Sequence, residues 1–107
     1  MKTFFCKLIP PRPTFDRDLS GDEAKLMHAH AAYWRGWMGK GKVVAFGPIA
    51  DPAGAFGVAI LEVAGEREVQ QLTSDDPVIR SGRGFRWELH PMPLGAVHPP
   101  YSAVNGQ

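Results

Sequence analysis

The sequence predicts an α+β domain: a four-stranded antiparallel sheet with two helices on one of its faces. Three observations predict it. Four short runs rich in aromatic and β-branched residues read as strands. Two stretches with helical spacing fall between them, giving the order β-α-β-β-α-β. Twelve glycines and ten prolines stand mostly at the joints between these segments.

Residues 3–9 are the first strand. Phe4, Cys6 and Leu8 share one face, and Phe5 and Ile9 share the other, so both faces are apolar. Pro10-Pro11 end this strand, and residues 10–19 read as a loop rich in proline and charge. Ser20 opens the first helix. Glu23, three residues on, completes a capping box in which each side chain satisfies the other residue's backbone N–H. Leu26, His30, Tyr33 and Trp37 then fall on one stripe, and Met27, Ala31, Trp34 and Met38 repeat it one residue later. A stripe this wide suits a helix lying on a sheet. Gly39 and Gly41 end it.

Residues 42–46 form a short strand stopped by Gly47-Pro48, and residues 56–63 form its hairpin partner across a long connection. Residues 66–74 read as a polar helix whose buried side is thin, chiefly Val69 and Leu72. Asp75-Asp76-Pro77 interrupts it, and Gly82 and Gly84 make a turn. Residues 85–90 alternate strictly, as a half-buried strand does, and Pro91 and Pro93 end them. The domain is therefore expected over residues 1–92, with residues 93–107 as a tail. The element order is that of a ferredoxin-like split βαβ unit. That arrangement leaves the second sheet face bare in a monomer. Covering apolar surface is worth roughly 25 cal/mol per Å², so a homodimer pressing two sheets together is expected.

Composition excludes several function classes. Twelve Lys and Arg against eleven Asp and Glu give a net charge of +1, with no concentrated positive field for nucleic acid or an anionic membrane. One cysteine, Cys6, rules out an internal disulfide and a four-thiolate zinc site. The longest apolar runs fall far short of the roughly 20 residues that span a bilayer. The first five residues begin like a signal peptide, but prolines at 10, 11 and 13 cut the apolar segment off and no small-residue cleavage site follows. A cytoplasmic protein is expected.

Three pieces of sequence together resemble the YCII-related family of the dimeric α/β-barrel superfamily. Met27-x-x-His30-x-x-Tyr33 lies in the first helix, and Gly41 follows. Gly47-Pro48 closes the second strand, with 17 positions from His30 to Gly47. Asp76-Pro77, Gly82 and a strand ending at Pro91 complete the pattern. The resemblance implies a dimeric barrel and a pocket pair formed by His30 and Asp76. Characterised relatives act on small, often aromatic-derived molecules, dehydrochlorination included. Val78 departs from the family pattern, where an aromatic is common after the Asp-Pro step. The proline loop and the tail are further departures, and either could reshape a pocket mouth.

His30 sits within the apolar stripe. A buried neutral imidazole takes a proton near neutral pH, and a carboxylate on its other nitrogen fixes the tautomer and stabilises the cation. The structural alternative is a core histidine bonded to a backbone carbonyl, with Asp76 merely capping a turn. Tyr33, Trp34, Phe46 and Pro48 are the expected substrate contacts, although aromatic residues in such numbers also serve as plain core. Asp51 is the second choice of acidic partner. His28 and His30 point about 200° apart on a helix and do not share a metal ion, so no metal and no cofactor are expected. Cys6 reads as a small buried hydrophobe rather than a nucleophile. Arg80, Arg83 and Arg86 form either an anion site or a solvated edge. The resulting expectation is a cofactor-independent lyase or isomerase using His30 and Asp76 for acid–base chemistry. The alternatives are a binding or accessory domain without chemistry, and a heme- or oxygen-handling barrel.

Overall fold

In the computed structural model, which describes residues 1–98, one sheet and four helical segments follow the expected ferredoxin-like plan. Strand β1 (Lys2–Ile9) leads into a single helical turn, α1 (Phe15–Asp18), and then the long helix α2 (Gly21–Gly39). The hairpin strands are β2 (Val43–Ile49) and β3 (Phe56–Val63). Helix α3 (Glu66–Ser74), a second single turn α4 (Pro77–Arg80) and strand β4 (Arg86–Pro91) complete the order. The sheet runs β2-β3-β1-β4 with every neighbour antiparallel. Residues 99–107 of the expected tail lie outside the described residues.

Register explains the core. Phe4 pairs with Leu61, and Cys6 with Ala59 on one side and Leu89 on the other. These residues share a face, and Trp34 from α2 and Val69 and Leu72 from α3 pack onto it. Both long helices therefore cover the same side. A second cluster of Leu8, Phe15, Val78 and Phe85 extends this core toward α1 and α4. Tyr33 locks the two long helices together by donating its hydroxyl to the Leu72 carbonyl at 2.6 Å. Burial raises the Tyr33 pKa. Met38, although on the helical stripe, is 38% exposed.

The local signals at α2 hold. Ser20 and Glu23 form the full capping box, and Gly41 ends the helix at a φ of +79°, a backbone region that favours glycine. Three segments differ from expectation. The proline loop contains α1, whose Phe15 is buried. The stop after Asp75 restarts as α4, with Asp76 at its cap and Pro77 in the first turn. Strand β2 runs through Gly47-Pro48 to Ile49. Among the described residues it is an edge strand with β3 as its sole neighbour, and an edge tolerates a proline that a central strand does not. A bulge between Val43 and Ala45 shifts the alternation, so that Val43 and Phe46 both face the helices. Similarly, Pro91 is the last residue of β4, the other edge.

Candidate active site

Helix α2 brings His30 to the edge of the core, and the capped turn before α4 brings Asp76 beneath it. The two meet across 46 positions of sequence: His30 Nδ1 lies 2.8 Å from Asp76 Oδ2 and 3.0 Å from Oδ1. Asp76 is fully buried, and the His30 side chain is 13% exposed. Trp34, one helical turn beyond His30, donates its indole N–H to Asp76 Oδ2 at 2.7 Å. The Val78 backbone N–H donates to Oδ1 at 3.0 Å, which is the cap of α4.

Charge and donor counting assign the tautomer. An ionised carboxylate only accepts hydrogen bonds, so the proton between the pair belongs to His30 Nδ1. In the neutral ring Nε2 then carries the lone pair, and no described residue hydrogen-bonds it. Three donors around Asp76 supply the compensation a buried carboxylate needs.

His30 lines a cavity of about 340 Å³ between α2, the sheet and the proline loop. Leu8, Phe46, Pro48 and Gly57 form its sheet side, and Met27 and Ala31 stand beside His30 on α2. Phe15, Leu19 and Phe85 also line it. Among the expected contacts, Phe46 and Pro48 thus lie on the cavity wall. Tyr33 and Trp34 do not: Tyr33 is tied to α3, and Trp34 stands behind the site, holding Asp76.

The proline loop is held in place by one arginine. Arg12 donates a two-pronged pair of hydrogen bonds to Glu23, at 2.8 and 2.9 Å, and a third to Asp18 at 2.7 Å. These bonds lower the Glu23 carboxyl to about 2, the Arg12 fork acting first and the Ser20 N–H second. They tether α1, and with it Phe15, to the start of α2.

The other candidates stand elsewhere. Asp51 accepts from the Ala53 N–H at 2.9 Å and shapes a turn. Arg80 pairs with Asp75 and Arg86 with Glu88 at an exposed edge. His28 is exposed. Cys6 is wholly buried, and burial pushes its thiol up to about 12, which removes the thiolate that nucleophilic chemistry requires. Among the described residues no three His, Cys, Asp or Glu side chains converge on one point.

The sequence model of the YCII-related domain matches residues 3–93. The chain belongs to the YCII-related family. No curated protein is similar enough to count as a match. In this YCII-related domain the dyad is supported by side chains that had no separate sequence mark. Trp34 has the spacing of a core residue and doubles as a donor to Asp76. The Val78 amide is legible in retrospect, because Asp before Pro at a helix start is a capping signature. Phe15 and Phe85 reach the cavity only through tertiary packing.

Proposed function

We propose that this domain performs acid–base chemistry on a small molecule, with His30 Nε2 as the base and Asp76 as its positioning partner. The observation that carries this reading is the buried carboxylate on Nδ1, opposite a ring nitrogen that no described residue hydrogen-bonds, at the wall of an apolar cavity. Such a pair has the geometry of general base catalysis. In an elimination, Nε2 would take a proton from carbon, the C–H electron pair would become the new double bond, and chloride or another leaving group would depart with its bonding pair. In an isomerisation, His30 would return the proton to a different carbon. No step asks for a cofactor. The domain would work as a homodimer, with the bare sheet faces pressed together.

The rival reading, a binding domain without chemistry, is favoured by one observation: Asp76 already has structural duties toward Trp34 and α4. Proton exchange separates the two. Small cyclic ketones incubated with the protein in heavy water should exchange their α-hydrogens, as followed by NMR. His30→Gln should abolish the acceleration. Equal exchange with the variant would leave His30 without a catalytic role.

A further inference from the structure

We propose a second binding site, apart from His30, that takes a small organic monoanion: an ionised carboxylic acid with an aliphatic body. The site is a cleft of about 500 Å³ on the far side of the proline loop. Register places its floor. Ile9 pairs with Arg86 and Lys7 with Glu88, so these side chains share the sheet face that the helices leave bare. Phe56 joins them, with its ring centroid 4.4 Å from the Lys7 ammonium. Residues 10–13 form one wall, and the connection between β2 and β3 forms the other. Pro10, Ala55 and Phe56 line the His30 cavity as well, but His30 does not line the cleft. Both walls are fixed before a ligand arrives. Three prolines restrict φ on the first, and the Arg12 fork ties it to Glu23. On the second, the Asp51 side chain accepts from the Ala53 N–H and its carbonyl from the Gly54 N–H, both at 2.9 Å. The walls approach so closely that a Cβ on Gly54 would lie 3.3 Å from the Pro13 carbonyl oxygen. A preformed cleft of this kind binds without first ordering its own walls.

Charge decides the ligand. Lys7, Arg12 and Arg86 line the cleft as cations and Asp51 as an anion. Arg12 is engaged by Asp18 and Glu23. Arg86, unlike Arg80 and Arg83, reaches the cleft. It gives Nη1 to Glu88 at 2.9 Å, and no other described residue bonds its guanidinium. Lys7 forms no ion pair among the described residues. The carboxylate opposite it, Glu88, is taken by Arg86, and the ammonium rests on the Phe56 ring instead. Lys7 therefore offers charged N–H donors to an entering carboxylate, with the free side of Arg86 on the same cleft. Ile9, Pro10 and Phe56 supply apolar surface for an aliphatic body. Asp51 limits the charge: on the same lining, it opposes a second negative group, so a dicarboxylate is disfavoured.

Three six-carbon probes that differ only at their ends test this by amide NMR titration of the full chain at neutral pH: hexanoate, hexanol and adipate. Hexanoate is expected to bind about tenfold tighter than either of the others, the worth of one charge-assisted hydrogen bond. It should shift the amides of Lys7, Ala53 and Gly84 and leave that of His30 in place. Lys7→Met keeps most of the stem and removes the charge, so hexanoate should fall to the level of hexanol. Lys7→Arg should restore the difference. Asp51→Asn, whose amide oxygen still accepts from Ala53, should raise adipate to the level of hexanoate. The dispersion of each variant's amide spectrum checks its folding. Hexanoate and hexanol binding alike would overturn the site, as would a preference for hexanoate that survives Lys7→Met. Shifts confined to the His30 cavity, or no binding of any probe, would overturn it too. Adipate staying weak with Asp51→Asn would remove the role given to Asp51. None of these results bears on the assignment of His30 as a base.

Discussion

Asp76 accepts hydrogen bonds from His30, Trp34 and the Val78 backbone, so its carboxylate is committed to the protein on every side. Removing it strands buried donors, each at a cost of about 1–3 kcal/mol. Asp76→Ala is therefore expected to lower unfolding free energy by about 3 kcal/mol in a urea titration. His30→Ala, at a partly exposed position, should cost about 1–2 kcal/mol. If the order were reversed, His30 rather than Asp76 would be the structural member. Buried Trp34 and half-buried Trp87 provide a companion comparison. Trp34 Nε1 donates to Asp76, whereas Trp87 Nε1 is buried with no acceptor among the described residues. Trp34→Phe should thus destabilise more than Trp87→Phe, by about 1–3 kcal/mol in the same titration.

Helix α2 begins with a residue that serves two elements. Glu23 closes the capping box and also receives the Arg12 fork from the proline loop. Its carboxyl lies at about 2, below the ordinary 4.5. A group lowered in this way favours the folded state fully above its unfolded value. That contribution is lost as pH falls from about 4.5 through about 2. Glu23→Gln should therefore lower Tm at neutral pH and flatten the acid limb of the Tm profile within that window. The turn before β4 carries a different constraint. Gly84 has a φ of +93°, and a Cβ placed on it would lie 3.3 Å from Pro11 Cβ in the loop. Gly84→Ala is expected to cost about 1–2 kcal/mol by denaturant unfolding. A neutral result would mean that the turn relaxes freely.

For the whole molecule, the consequential feature is the asymmetry of the sheet. Its helix-covered face holds Phe4, Cys6, Ala59 and Leu61, all buried. On the opposite face Phe5, Ile9, Val58 and Ile60 are half-buried, and on β2 Val44 and Ile49 are exposed. Apolar surface of this kind, rimmed by polar side chains, fits a protein interface. Ile60 pairs with Phe5 in its middle. If homodimers form through this face, Ile60→Lys should yield monomers in sedimentation velocity while the wild-type protein sediments as a dimer. An unchanged oligomeric state would place any interface elsewhere. No described helix is long and apolar enough to cross a membrane.

The sequence by itself determined the order of the major elements, the capped start of α2 and the alternation of β1 and β4, because those signals lie within a few residues of one another. The strand through Pro48 was not legible in the same way. Whether a proline breaks a strand depends on whether that strand is at an edge, which is a property of the assembled sheet. The two single-turn helices were hidden for a related reason: α1 is tied down by Arg12 to Glu23, eleven positions away, and α4 by the Asp76 cap. His30 stood out locally as a polar residue on an apolar stripe. Its partner was indicated only by family resemblance, since Asp51, Asp75 and Asp76 all stand in turns. Tertiary structure decided how these groups meet, by carrying Asp76 across 46 positions to Nδ1 and placing the Trp34 N–H on the same carboxylate. The physical reason is range. Periodicity and capping act between neighbours along the chain, whereas a buried carboxylate is held by donors that only packing brings together.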